Sequence, residues 1–514
     1  MALSSLDMFQ VPIYGLVAGA IVITSLLKVA QLFQRWKYAR DNGCRALGHS
    51  VSHGLFGIGI LKELTKAAGE HGFLELIRSW HRHYGTTFKA SVISRKIIFT
   101  VEPKNIQSIL ALKFNDFDLG ETRRAAVRPV FGLGIFSLDG TMWEHARALI
   151  RPTFTRAQIN NTQLYETHVT ELIKHIPRDG STVDLLPLFF KGTLDTASQL
   201  LLGESAHSLS GDETSESVLF GKNFDLAQEV TSLRFKFGRF AMLQVSRKHQ
   251  KAIKDTRAYV EKFAQKAIDY RNAVNSGQDV DKDIKQLTEN QNVFAYEISK
   301  QTLDKTEITD QLLNLLLAGR DTTASLLAIT FFVLARQPEV WNKLRKEILT
   351  LDGQKPSFED VKSMTYLTWV LNETQRLYPV VPFNQRQAIR DTHLPVGGGP
   401  DGKSPVHVPK GYDVIWSTYT MYRDNSVYGP DAAEFRPERW ANLRPGWAYL
   451  PFHGGPRICI GQQFALTEAG YTVVRILQEF ESIESRDPSP WVEDLKLTLL
   501  PANGTKVALT PVRL

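Results

Sequence analysis

The pattern of polar and apolar positions opens with an uninterrupted apolar run, Met8 to Leu27, twenty residues without a charge. As a helix it would span about 30 Å, the thickness of a bilayer's hydrocarbon core. Pro12 lies near its start, where a helix tolerates proline. Lys28, Arg35, Lys37 and Arg40 follow the run and only Asp7 precedes it, a bias that orients a single-pass segment with the rest of the chain on the cytosolic side. A cleaved signal peptide competes with this reading, but no basic stretch precedes the run and no small-residue cleavage site follows it. Residues 1–40 are therefore assigned as an anchor with its basic flank, and 41–514 as one body.

Past the anchor, Asn42 to Gly59 is glycine-rich and free of proline. Ser91-Val92-Ile93-Ser94 and Ile97-Ile98-Phe99-Thr100 alternate and are rich in β-branched residues, which predicts a hairpin of a small sheet between Phe88 and Thr100. Glu102-Pro103 marks a helix start. Glycines and aromatics from Phe114 through Phe117, Gly120, Phe131, Gly134 and Phe136 to Gly140 predict a loop. Trp143 to Arg147 opens a helix, and the four-residue spacing puts Trp143 and Arg147 on one face. From Phe220 to Phe240, phenylalanines interleave with polar residues, as core positions or as a helical lid dipping into a bilayer. Arg271 to Asn292 is polar, with a solvated connector around Asn275 to Asp281.

A long helix is predicted from a cap at Thr306 to about Gln337, where Pro338 stops it. It is apolar nearly all round, yet Arg320 and Asp321 lie at its middle. Each would cost roughly 2.5–3.5 kcal/mol at a bilayer centre, so it is read as a buried helix of the body and not as a second span. Ser357-Phe358-Glu359-Asp360 is a capping-box pattern. Glu373 and Arg376 sit one turn apart on a further helix that Pro379 closes. Gly397-Gly398-Gly399-Pro400-Asp401-Gly402 resembles a phosphate loop, but no helix opening on Lys and Ser or Thr follows, so a turn between strands is predicted.

Composition narrows the classes. A length of 514 residues alone suggests about three domains, but no linker-like break interrupts the middle, and 43% hydrophobic with 22% charged residues suits one large core. Two cysteines, Cys44 and Cys459, exclude a disulfide framework and imply a reducing compartment. The net charge of +7 is spread along the chain, with no arginine cluster interleaved with aromatics. Nucleic-acid binding is therefore not indicated, while a basic face for an acidic redox partner stays open.

The chemistry centres on Phe452-His453-Gly454-Gly455-Pro456-Arg457-Ile458-Cys459-Ile460-Gly461. Taken alone, Cys459 would be a buried structural thiol. Its surroundings change that reading. Gly454, Gly455 and Gly461 allow close backbone approach, Arg457 supplies fixed positive charge, and a helical run begins just after the sulfur. Thiolate ligation of a heme iron uses all of these parts.

Phe452, Gly455, Arg457, Cys459, Gly461 and Ala465 match the Phe-x-x-Gly-x-Arg-x-Cys-x-Gly-x-x-x-Ala signature of the cytochrome P-450 family at every fixed position, and the chain resembles that family over most of residues 40 to 514. Ala318-Gly319-Arg320-Asp321-Thr322-Thr323 resembles the family's oxygen-binding groove motif. Small Ala318 and Gly319 leave room beside the helix, a threonine hydroxyl can bond its own backbone, and Asp321 with Thr322 would supply an acid and a hydroxyl for proton delivery. His145 is rejected as an axial ligand, since it points away from the face of Trp143 and Arg147.

The resemblance implies a mainly α fold with a small β region, the triangular prism of the family, behind an N-terminal transmembrane helix. It implies heme b, iron protoporphyrin IX with Cys459 as axial thiolate, held by Trp143, Arg147, Arg386, Phe452 and Arg457. It also implies a structural trio of Glu373, Arg376 and Arg439, with Arg439 favoured over Arg436, and pocket contacts at Val381, Pro382 and Phe383. Electrons would come from NADPH through a cytochrome reductase, with cytochrome b5 as a further partner, at the endoplasmic reticulum membrane. Phe117-Asp118-Leu119-Gly120, Val381 to Arg386 and the insertion at 397–402 resemble the fungal subgroup that hydroxylates n-alkanes and fatty acids. Tailoring oxidation of a fungal secondary metabolite is the alternative, and a non-enzymatic heme sensor is the reading from another class.

Overall fold

The computed structural model describes residues 7–51, 57–92, 95–278 and 293–513. The first helix, α1 (Asp7–Asp41), continues well past the apolar run. From Tyr14 to Gln34 its described residues are exposed, and only Arg35, Tyr38 and Ala39 near its end are half-buried. Tyr38 Oη lies 3.1 Å from Nδ1 of His393, and Arg35 Nε lies 3.5 Å from Asp391. The anchor thus ends docked on the body.

The larger sheet is assembled from distant parts of the chain. Its members are β1 (Ser50–Val51), β2 (Thr87–Val92), β3 (Arg95–Thr100), β4 (Phe117–Asp118) and β5 (Phe383–Ala388). The hairpin β6 (Thr392–Gly398) and β7 (Ser404–Val408) comes next in the chain, followed by the sixth member of the larger sheet, β8 (Asp413–Ser417). The order is β1-β2-β3-β8-β5-β4. The predicted hairpin is β2–β3, registered from Thr87 opposite Thr100 to Val92 opposite Arg95. Residues 397–402 form a turn between β6 and β7, and His393 of β6 faces His407 of β7. β5 runs antiparallel to β8 with Arg386 opposite Val414.

Helices make up most of the rest. Those that build the site are α2 (Glu121–Phe131), α3 (Gly140–Ile150), α4 (Leu185–Leu202), α5 (Glu216–Phe237), α6 (Arg247–Asn275), α7 (Lys305–Leu334), α8 (Thr365–Leu377) and α9 (Gln462–Glu479). α7 is long and apolar enough to cross a membrane, but 78% of that stretch is buried inside the protein. It is the central helix of the core and packs most extensively along α4. Its N-terminal half, with Ile308, Leu312 and Leu316, belongs to one apolar cluster, and its C-terminal half, with Leu326, Phe331 and Leu334, to another. Residues 318–322 fall in neither.

Several sequence expectations need correction. Asp304, not Thr306, caps α7: its Oδ1 accepts from the N–H groups of Thr306 at 2.8 Å and Glu307 at 3.2 Å. The helix ends at Leu334, and Pro338 begins the next helix, Pro338–Ile348, at a position where its missing N–H costs nothing. The expected loop between Phe114 and Gly140 contains α2, whose apolar face of Ala126, Val127, Val130 and Phe131 is buried. Pro129 removes a helical donor, and the carbonyl it would have bonded, Ala125 O, accepts instead from Arg234 of α5 at 3.1 Å. Phe220 and Phe224 are core and not lid, since Phe220 stacks on Tyr259 with ring centroids 4.3 Å apart. Phe235, near the far end of α5, is 40% exposed. α6 extends to Asn275, and the polar stretch 279–292 lies outside the described residues.

Candidate active site

The cysteine loop is shaped by backbone contacts before any side chain acts. Cys459 N–H donates to Phe452 O at 3.0 Å and Ile458 N–H to Gly455 O at 3.0 Å, which closes the loop on itself. Gly455 has φ of +69°, and a Cβ there would lie 1.9 Å from Leu110 O, so no other residue fits without moving the backbone. Ala465 N–H then bonds Gly461 O as α9 begins.

Cys459 is solvent-accessible and at the same time ringed by protein on nearly every side. Both hold for a sulfur on the wall of an interior hollow. Burial pushes the thiol pKa up, while a hydrogen bond from the Gly461 backbone and the charge of Arg147 pull it down. Past its first turn, the residues of α7 left half-buried are Leu317, Ala318, Gly319 and Thr322, in a stretch otherwise closed by packing. Thr322 Oγ1 donates to Ala318 O at 2.6 Å, the local bond expected from the motif. Asp321 diverges from it. Its carboxylate turns toward α5, accepting from Gln228 Nε2 at 3.3 Å and lying 3.5 Å from Arg320. Burial raises its pKa to about 6, with Arg320 opposing and Asp225 adding to the rise.

Four guanidinium groups converge near the cysteine loop. Arg457 donates to Leu138 O at 3.1 Å and to Asp139 Oδ1 at 2.7 Å, and its guanidinium stands over the Trp143 ring at 4.3 Å. Arg147 lies over the same ring at 5.8 Å, so α3 places the pair on one face as its spacing requires. Arg386 is buried over Trp416 and, among the described residues, bonds only Asn384 Oδ1 at 3.2 Å and Gln385 O at 2.7 Å. Arg123 donates to Phe136 O and to the same Asn384 Oδ1, each at 3.2 Å. Desolvation lowers the pKa of all four, and that of Arg457 falls to about 10; mutual repulsion adds to the fall at Arg386 and Arg457. Among the described residues, Asp139 bonding Arg457 is the one carboxylate within 4 Å of these four. The cluster carries an excess of buried positive charge, and a cofactor bearing two carboxylates on a flat ring beside a cysteine would neutralise it. The residues present fit heme.

Two members of this cluster escaped the sequence reading. Arg123 was hidden in a stretch read as loop, although Gly120 followed by an acid and helix formers is a helix-start signal. His453 adopts a left-handed φ of 69° and is half-buried beside the arginines; desolvation, with their charges, pushes its pKa well below the ordinary value. Its Nε2 has no partner among the described residues. Local sequence carried no signal for it. His145 stands at the surface, 3.0 Å from Glu307.

Behind the loop, Glu373 of α8 is fully buried and saturated. It accepts from Arg376 Nη2 at 2.8 Å and Nε at 2.9 Å, from Arg439 Nε at 2.8 Å and from Trp440 Nε1 at 3.0 Å. Arg436 contributes only its backbone N–H, at 2.9 Å, and its side chain pairs with Asp431. Of the expected pocket residues, Phe383 packs edge-on against Phe73, Pro382 is buried and Val381 is exposed.

A family model described as Cytochrome P450 matches residues 52–509. The cytochrome P450 monooxygenase himC of Aspergillus japonicus is 44% identical over 495 residues, 95% of this chain and 88% of that protein. The cytochrome P450 monooxygenase fsdH of Fusarium heterosporum is 39% identical over 500 residues, covering 96% and 87%. Cytochrome P450 52A13 of Debaryomyces hansenii is 40% identical over 513 residues, covering 95% and 97%.

Proposed function

The chain belongs to the cytochrome P450 family and is a monooxygenase of it, and from that premise we propose that it hydroxylates a long aliphatic chain, an n-alkane or a fatty acid, at a membrane. The observation that carries the reading is an accessible Cys459 beside a cluster of arginines, in a body whose central helix α7 is left half-buried at Ala318, Gly319 and Thr322 and which follows an exposed apolar helix. The likeness of 117–120, 381–386 and 397–402 to fungal alkane and fatty-acid hydroxylases supports the substrate class. The endoplasmic reticulum, with the body facing the cytosol, is the assigned location, supported by the basic residues Lys28, Arg35, Lys37 and Arg40 in the C-terminal part of α1.

When bound, heme b on the Cys459 thiolate supplies the iron at which O2 is activated, the thiolate favouring O–O cleavage. The net change is O2, two electrons and two protons with R–H giving R–OH and water. Arg123, Arg147, Arg386 and Arg457 hold the two carboxylates of the cofactor, with Trp143 and Phe452 framing the loop. Cys459 gives up its thiol proton on ligation. Ala318 and Gly319 keep the groove open, and the Thr322 hydroxyl donates there, released from Ala318 O at need. Asp321, beside Thr322 in the same helix, is the proton carrier for the groove. NADPH supplies the electrons through a cytochrome reductase, with cytochrome b5 as an accessory donor.

Membranes bearing the protein, supplied with reductase, NADPH and a panel of alkanes, fatty acids and polyketides, test the reading through product mass spectrometry. The expected product is an aliphatic chain heavier by one oxygen. Turnover of polyketides alone would move the assignment to secondary-metabolite tailoring, and no turnover of any aliphatic chain would overturn it.

A further inference from the structure

Asp225 and Gln228 lie three residues apart on α5, and both face the same two residues of α7. Arg320 is almost fully buried, its guanidinium held over the rings of Phe190 at 4.9 Å and Phe224 at 5.8 Å, with Nε donating to Phe190 O at 3.4 Å. It is therefore a fixed charge. Its Nη1 lies 2.5 Å from Asp225 and 3.5 Å from Asp321. Asp225 is 58% exposed, whereas Asp321 is buried and takes its other contact from Gln228.

A simple staple between two helices would end at Arg320 and Asp225. The second acid beside it is a desolvated carboxylate that costs stability unless it serves some further purpose. We propose that α5 is the positioning element for proton supply to the groove, with Asp225 and Gln228 acting through the Arg320–Asp321 pair. The inference rests on Asp321 being the proton carrier of the proposed reaction.

The charged groups acting on Asp321 are Arg320 from its own helix, Asp225 from α5 and Lys496 from the turn after strand Glu493–Leu495. α4 faces Arg320 with the ring and carbonyl of Phe190. The two α5 residues pull in opposite directions. The Asp225 carboxylate engages Arg320 and repels a second anion, so it favours protonated Asp321. The Gln228 amide donates to the ionised form and favours loss of the proton. A displacement of α5 that loosens one contact more than the other alters when Asp321 holds its proton, which links the position of this helix to proton delivery.

Infrared titration of the ferric, substrate-free holoenzyme tests this, following the carboxyl stretch identified by its loss in Asp321→Asn. The native midpoint is expected near pH 6. Asp225→Asn should weaken proton binding about tenfold, moving the midpoint ~1 pH unit down, and Gln228→Leu should move it up. Asp225→Ser removes the same charge without adding an amide and must shift the midpoint the same way as Asp225→Asn. Opposite shifts for positions 225 and 228 establish the proposal. Unchanged midpoints, or shifts of one sign at both positions, overturn it. The readout needs no substrate, O2 or reductase, so its failure is read separately from failure of the hydroxylation assignment.

Discussion

Cys459 shows how a residue's chemistry depends on its immediate shell. Burial alone would keep it a thiol, and the neighbouring Gly461 N–H and Arg147 only soften that. A metal cation at the sulfur reverses the balance, because the ligand binds as thiolate. The reduced carbon monoxide complex of the native protein should show the thiolate-type spectrum. Cys459→Ala should abolish it, and Cys44→Ala should leave it in place; survival of the spectrum in Cys459→Ala would remove the ligand assignment. At this scale much of the candidate site was legible, because Phe452, Arg457, Cys459, Trp143 and Arg147 stand at spacings that the chain itself enforces. Arg123 and His453 were not. They join the cluster through α2 and the left-handed turn of the loop, and neither contact is local in sequence.

Among elements, α8 is defined by what its charged residues meet. Glu373 and Arg376 would contribute only ~0.2–0.5 kcal/mol as an exposed pair. In the fold both are fully buried, with Arg439 and Trp440 completing the shell. Glu373→Gln leaves the buried Arg376 without a carboxylate and Arg439 with Asp431 alone, and should destabilise the protein by about 3–5 kcal/mol, with loss of heme retention, measured by denaturant unfolding. Arg436→Ala, at a side chain 53% exposed, should cost only about 0–1 kcal/mol, and the contrast checks that Arg439 is the partner. The element boundaries that sequence missed share one cause. The glycines and aromatics around α2 read as loop, and its internal Pro129 is accommodated because the carbonyl it orphans is answered by Arg234, over a hundred residues away. Asp304 won the cap of α7 over Thr306 by lying just before the first helical residue, where its carboxylate meets two free N–H groups.

For the molecule as a whole, the join between anchor and body matters most. α1 runs unbroken into contacts at Arg35 and Tyr38 with Asp391 and His393, next to the hairpin turn. The anchor therefore holds the body at a set angle to its own axis. Removing residues 1–27 should release the protein from sedimenting membranes while leaving the thiolate spectrum unchanged. Retention on membranes would show that further surfaces bind lipid. The sequence by itself determined the cysteine-loop signature, the apolar N-terminal helix, the β2–β3 hairpin and the buried central helix, since each is written in spacing or periodicity over a few turns of chain. Tertiary structure alone decided that Asp321 turns away from Thr322 to α5, that Arg123 and His453 join the arginines, and that the anchor docks on β6. Those outcomes depend on which distant segments meet, and burial there sets the charge, reach and partners of each group.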